Sequence, residues 1–122
     1  MSAVALWAAV GVLGGVGALA RFLLDARVSA SAGAGFPFGT LLVNLSGAIL
    51  LGVLAGATVH GDDYLLAGTA VIGSYTTFST WMLESHRLGE SARMWLLSVN
   101  VAASLILGVA AVALGRLIGG GW

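Results

Sequence analysis

The sequence has no cysteine, a single proline and only ten charged side chains among 122 residues. Without cysteine there is no disulfide framework, thiol chemistry or cysteine-based metal site. Ordinary soluble domains carry about a quarter charged residues; a charged share of 8% excludes that class. The five basic and five acidic residues cancel, and no basic run offers a surface for nucleic acid or anionic headgroups. Nor does any Asp, Glu, Lys or His lie deep within an apolar stretch. Proton-coupled exchangers need an ionisable group there.

What remains is apolar. With 59% hydrophobic residues and a mean hydropathy of +1.03, the chain reads as an all-α membrane protein. Its charges delimit uncharged stretches at 1–20, 28–61, 64–83 and 94–115, each long enough for a helix of about 20 residues to cross the hydrocarbon. Four transmembrane helices are therefore predicted at 3–25, 37–58, 64–86 and 94–117, as a single domain over 1–122. Only a Gly/Ala/Ser connection at 26–36, an "HGDD" turn at 60–63 and a charged turn at 87–93 are left over. No part is free to form a soluble catalytic domain, so the chain is not expected to be an enzyme.

Residues 1–20 lack a positive start and a clear cleavage site, so they are read as the first span rather than a signal peptide. Pro37 suits the first turn of the second helix, where its missing N–H is harmless. Gly11/Gly15 and Gly52/Gly56 have the GxxxG spacing of close helix contacts, although general tight packing in a Gly-rich chain explains them too. Arg27, Arg87 and Arg93 share one side and Arg116 takes the other, a bias that would place the termini outside.

The polar residues within the spans are neutral. Asn44 enters the second helix by about 10 Å and needs a partner, either an interhelical hydrogen bond or a pore. Asn100, Ser104 and Gly108 follow at i, i+4, i+8 on one face of the fourth helix, as a polar track or a packing seam. Arg21 could snorkel to the interface or attract anions at a pore mouth. Trp7, Trp95 and Trp122 stand near span ends as belt residues, and His60, Asp62 and Asp63 read as a solvated turn rather than a metal site.

The stretch "GSYTTFSTW" at 73–81 has hydroxyls on Ser74, Tyr75, Thr76, Thr77, Ser79 and Thr80. A continuous helix would turn some of them to lipid. A helix broken near 73–80 is the alternative to a kinked one with its hydroxyls bonded internally; irregular backbone at membrane depth is tolerated where it is buried or lines a cavity, and freed carbonyls there can bind a hard cation.

Taken in order, "GGVGALARF" (14–22), "FPFGTLLVNLSGAILLG" (36–52), "GSYTTFSTW" (73–81) and "NVAASLILG" (100–108) resemble the Fluc (CrcB) fluoride channels over nearly the whole chain. The resemblance implies an antiparallel, dual-topology homodimer in the inner or plasma membrane, with two fluoride pathways and a structural sodium ion on the dyad. It implies passive export of cytoplasmic fluoride, with no protein partner beyond a second copy and the surrounding lipid. Carried over by motif, Asn44 faces the pore, Phe78 and residue 81 present aromatic edges, and Thr77, Ser104 and Asn100 belong to the polar track. Arg21 lies near a vestibule, and the main-chain carbonyls of Gly73 and Thr76 hold the sodium. The family usually has phenylalanine where this chain has Trp81, whose indole adds an N–H donor. The rival readings are a small-multidrug-type antiporter, which needs the membrane carboxylate missing here, and a purely structural membrane subunit.

Overall fold

The computed structural model describes residues 1–33 and 35–121; Trp122, expected at a membrane boundary, lies outside them. The described residues form helices and their connections. In chain order these are α1 (Ala3–Ala32), α2 (Phe38–Gly56), α3 (Gly61–Tyr64), a π-helix (Leu65–Ile72), α4 (Gly73–Tyr75), α5 (Ser79–Glu90) and α6 (Met94–Gly119). α1, α2 and α6 are each long and apolar enough to cross a membrane. The stretch from α3 to α5 is the fourth helical leg, and it is interrupted.

The first leg outruns its expected end at residue 25. Ser2 caps it by accepting the Ala5 N–H at 3.2 Å, and it continues to Ala32 because residues 26–32 contain neither glycine nor proline. Inside that extension the Ser29 hydroxyl donates to the Asp25 carboxylate at 3.2 Å. Gly33, at φ 80°, ends it in a conformation that favours glycine. At 1.5 Å per residue the helix is about 45 Å long, so much of the predicted 26–36 connection is helical. The "HGDD" turn is likewise the start of α3 rather than a free loop.

α2 and α6 run side by side with their backbones in contact. A side-chain carbon on Gly52 would collide with the Val112 carbonyl, and one on Gly115 with that of Ile49. One turn on, Gly56 meets the Arg116 carbonyl and Gly119 that of Val53. The glycine pairs of both helices interlock, which fits association by close van der Waals packing where lipid removes the hydrophobic drive. Gly11 and Gly15 have no such neighbour among the described residues; their GxxxG spacing serves no contact there.

Burial follows the membrane pattern. Val4, Val109 and Ile106 are 82%, 74% and 68% exposed, whereas Thr40, Ser85 and Asn100 are buried. Apolar side chains face outward and the polar ones need partners inside. The interior therefore holds hydrogen bonds at the places where the legs meet.

Candidate functional site

The site is built on the interruption of the third leg. Helical conformation stops at Thr76, whose ψ is 160°, and resumes at Ser79. Before the stop the backbone has already changed pitch: the Gly73 N–H donates to the Gly68 carbonyl, five residues back, and such π turns are frequent at functional sites. The sequence pattern foresaw the break but not the π-helix, because an apolar run looks alike in both pitches.

Asn44, on α2, holds the break. Its Oδ1 accepts the Thr77 N–H at 2.8 Å and its Nδ2 donates to the Thr77 carbonyl at 2.9 Å. Unsatisfied backbone groups cost several kcal/mol in hydrocarbon, and this one carboxamide satisfies both groups of Thr77. Among the described residues only one of its two N–H donors has a partner. Close by, Gly47 approaches so near that any side-chain carbon there would strike the Thr76 methyl group.

Thr77 also stands just ahead of α5. Its hydroxyl oxygen accepts the Thr80 N–H at 3.2 Å and donates its hydrogen to the Thr80 hydroxyl at 3.2 Å, the arrangement of an N-terminal cap. These two diversions have a further effect on the backbone. In a continuous helix the Thr77 N–H would return to the Gly73 carbonyl and the Thr80 N–H to that of Thr76. Both donors are committed elsewhere, so the Gly73 and Thr76 carbonyls lose their helical partners.

The remaining hydroxyls divide. Ser74 and Thr76 donate back to the Ala70 and Ile72 carbonyls at 2.6 and 3.1 Å, the internal satisfaction of the kinked-helix alternative. Ser46 gives its hydrogen to the Val43 carbonyl at 3.0 Å and lies 2.8 Å from the Tyr75 hydroxyl, which is then the donor. Both alternatives of the sequence reading are thus realised, on different residues.

Beside the break is a cleft of about 420 Å³, lined among others by Asn44, Gly73, Thr76, Thr77, Phe78, Trp81 and Ser104. Among the described residues no charged side chain lines it. The Phe78 and Trp81 rings meet edge to face, 5.6 Å apart at 79°, an arrangement that turns a positive ring edge toward a neighbour. Phe78 is 69% exposed and Gly73 is exposed as well, so the cleft is open along its side. Tyr64 and Thr69 also line it. Neither was singled out from sequence, although Thr69, Gly73 and Thr76 follow the i, i+4, i+7 spacing of one helix face.

Two predicted site residues stand outside the cleft. Asn100 shares a face with Ser104 by spacing, yet its Nδ2 donates to the Ser85 hydroxyl at 2.9 Å and the residue is 1% exposed. Arg21 lies on the α1 face between Gly17, which meets Val71 and Ser74, and Asp25, which meets Gly39. Its Nε is shielded and has no hydrogen-bond partner among the described residues. Neither Asn100 nor Arg21 is a lining residue.

A second cavity, about 510 Å³, opens where the ends of α1 and α5 approach the start of α2, and Glu84, Arg87 and Arg93 line it. The Thr40 hydroxyl donates to Glu84 Oε1 at 2.5 Å. Sequence reading treated Glu84 as a charge at the end of a span. In the fold it is drawn partly inward by this contact, and a Glu and a Thr 44 residues apart carry no local signal of it.

Residues 8–116 match the family model described as CrcB-like protein, Camphor Resistance (CrcB). A relative from Mycolicibacterium paratuberculosis, named fluoride-specific ion channel FluC 2, is 50% identical over 116 residues, 95% of each chain. The protein of that name in Mycobacterium tuberculosis strain H37Rv is 50% identical over 115 residues, covering 94% of this chain and 91% of its own. One from Geobacter sulfurreducens, named fluoride-specific ion channel FluC, is 41% identical over 104 residues, 81% of this chain and 84% of its own. The chain is a membrane protein and belongs to the CrcB family.

Proposed function

We propose that this chain conducts fluoride passively and selectively across the cell membrane, as an antiparallel homodimer with two pores and a central sodium ion. The observation that carries the reading is the uncharged cleft at the break, in a chain half identical to proteins named fluoride-specific channels. Fluoride is small and strongly hydrated. A pore for it must replace water with several donors yet avoid a fixed charge that would hold the ion too tightly to release. The Asn44 N–H that has no partner among the described residues, the Ser104 hydroxyl and the ring edges of Phe78 and Trp81 are such donors, and Thr77 borders them with its hydroxyl hydrogen held by Thr80.

The open side of the cleft supports the second copy. Hydroxyls and freed carbonyls facing hydrocarbon are unfavourable, and a partner's surface would close them off. At that contact the Gly73 and Thr76 carbonyls fit a hard cation, which prefers oxygen ligands; two from each copy would hold the sodium. When bound, the ion offsets carbonyl dipoles that otherwise repel. In this reading Arg21 belongs to a vestibule and Asn100 backs the polar track, and the whole of 1–122 acts as one four-helix transmembrane domain of the inner or plasma membrane.

A proton-coupled antiporter is disfavoured because Glu84, the acidic side chain drawn inward, lines the other cavity and not the cleft. Fluoride efflux from proteoliposomes tests the reading. Fast efflux without a counter-gradient is expected; efflux that requires one indicates an exchanger, and none indicates a structural subunit.

A further inference from the structure

Three hydrogen bonds close a ring between α5 and α6, and it begins and ends on Trp81. The indole Nε1–H donates to the main-chain carbonyl of Asn100 at 3.4 Å. The Asn100 Nδ2 donates to the Ser85 hydroxyl at 2.9 Å, and that hydroxyl donates to the Trp81 carbonyl at 2.8 Å. Asn100 and Ser85 are 1% and 5% exposed. Neither lines the cleft, whereas Trp81 does.

We propose that Asn100 and Ser85 are positioning residues for Trp81: the Asn100 carboxamide, through Ser85, fixes the Trp81 main chain against α6 and so keeps the indole N–H on the Asn100 main-chain carbonyl, and the cleft meets the carbon edge of the ring. The proposal rests on the fluoride-conducting reading of that cleft. Its physical basis is the asymmetry of indole. A phenyl ring presents the same edge after a half-turn about its bond to the chain, but an indole presents either its carbon edge or its N–H. Hydrogen bonds to an ionised acceptor are roughly twice as strong as neutral ones, so a second N–H turned into the cleft, added to that of Asn44, would lengthen the hold on an anion that a pore must release. The ring of bonds selects one orientation and commits the N–H elsewhere. A buried carboxamide is costly unless bonded, so Asn100 has its own reason to keep Ser85 in place. The indole N–H is therefore an anchor and not a fluoride donor.

Two measurements test this. First, fluoride efflux per folded protein is compared for Asn100→Leu in the native chain and in a Trp81→Phe background. The expected loss is about tenfold in the native chain and under about twofold in the Trp81→Phe background, a coupling of the size that contacting residues show. An equal loss in both backgrounds overturns the proposal by making Asn100 merely structural. Second, the unmodified sequence is labelled with ¹⁵N-indole in micelles, with Trp81 assigned by the signal missing from Trp81→Phe. Its N–H should exchange slowly with deuterium and should not shift as sodium fluoride replaces sodium chloride. A fluoride-dependent shift or fast exchange overturns the anchor, and this second readout decides alone if Asn100→Leu does not fold. Absence of efflux from the wild type would instead remove the conduction reading and leave the indole result standing.

Discussion

At the scale of single residues, Asn44 and Phe78 separate architecture from contact with the ion. Asn44 was legible in the sequence as an amide in an apolar run that must find a partner; that the partner is the main chain of Thr77 was not, because no side-chain pattern marks a backbone acceptor. Asn44→Ala removes both bonds to Thr77 and should destabilise the fold by about 1–3 kcal/mol, seen as a lower melting point in detergent along with lost efflux. Phe78 is largely exposed within its own subunit, so Phe78→Ile should change subunit stability by less than about 1 kcal/mol. Its efflux per folded protein should nevertheless fall severely. Unchanged efflux would take Phe78 out of the pathway.

At the scale of elements, the four helical legs and the interruption could be read from charge spacing and from the hydroxyls of 73–80. The extension of α1 could not, because Arg21 and Asp25 mark a change of solvent and not the end of a helix. Nor could the choice between the two GxxxG motifs: Gly52 and Gly56 meet α6 while Gly11 and Gly15 meet nothing among the described residues, and spacing alone is the same for both. Gly115→Leu should therefore force α2 and α6 apart, where overpacking costs about 1–3 kcal/mol or more. Gly11→Leu should leave the subunit's thermal stability within about 0.5 kcal/mol. Melting curves of the two variants in the same detergent compare them directly, and equal losses would contradict the observed packing.

At the scale of the whole molecule, orientation and the cation are the open terms of the proposed assembly. Arg27, Arg87 and Arg93 lie toward one end of the helices and Arg116 toward the other, which by itself favours one insertion. Cysteines introduced at the termini should still be labelled from both sides of the membrane if copies oppose each other; labelling from one side only excludes the antiparallel pair. Prolonged dialysis against sodium-free buffer should weaken both assembly and efflux. Because main-chain oxygens would hold the ion, Thr76→Ser should respond to sodium as the wild type does.

The open side of the cleft has a consequence for the bilayer itself. In the proposed pair, a groove flanked by Phe78 and Gly73 would be filled by acyl chains until a second copy covered it, so lipid would act as a competitor for the same surface. Association of the proposed pair would then be an exchange reaction, in which each pairing returns those chains to the bulk. Diluting the protein in lipid should shift that exchange toward single copies, and efflux per chain should fall in proportion to protein density once single copies predominate.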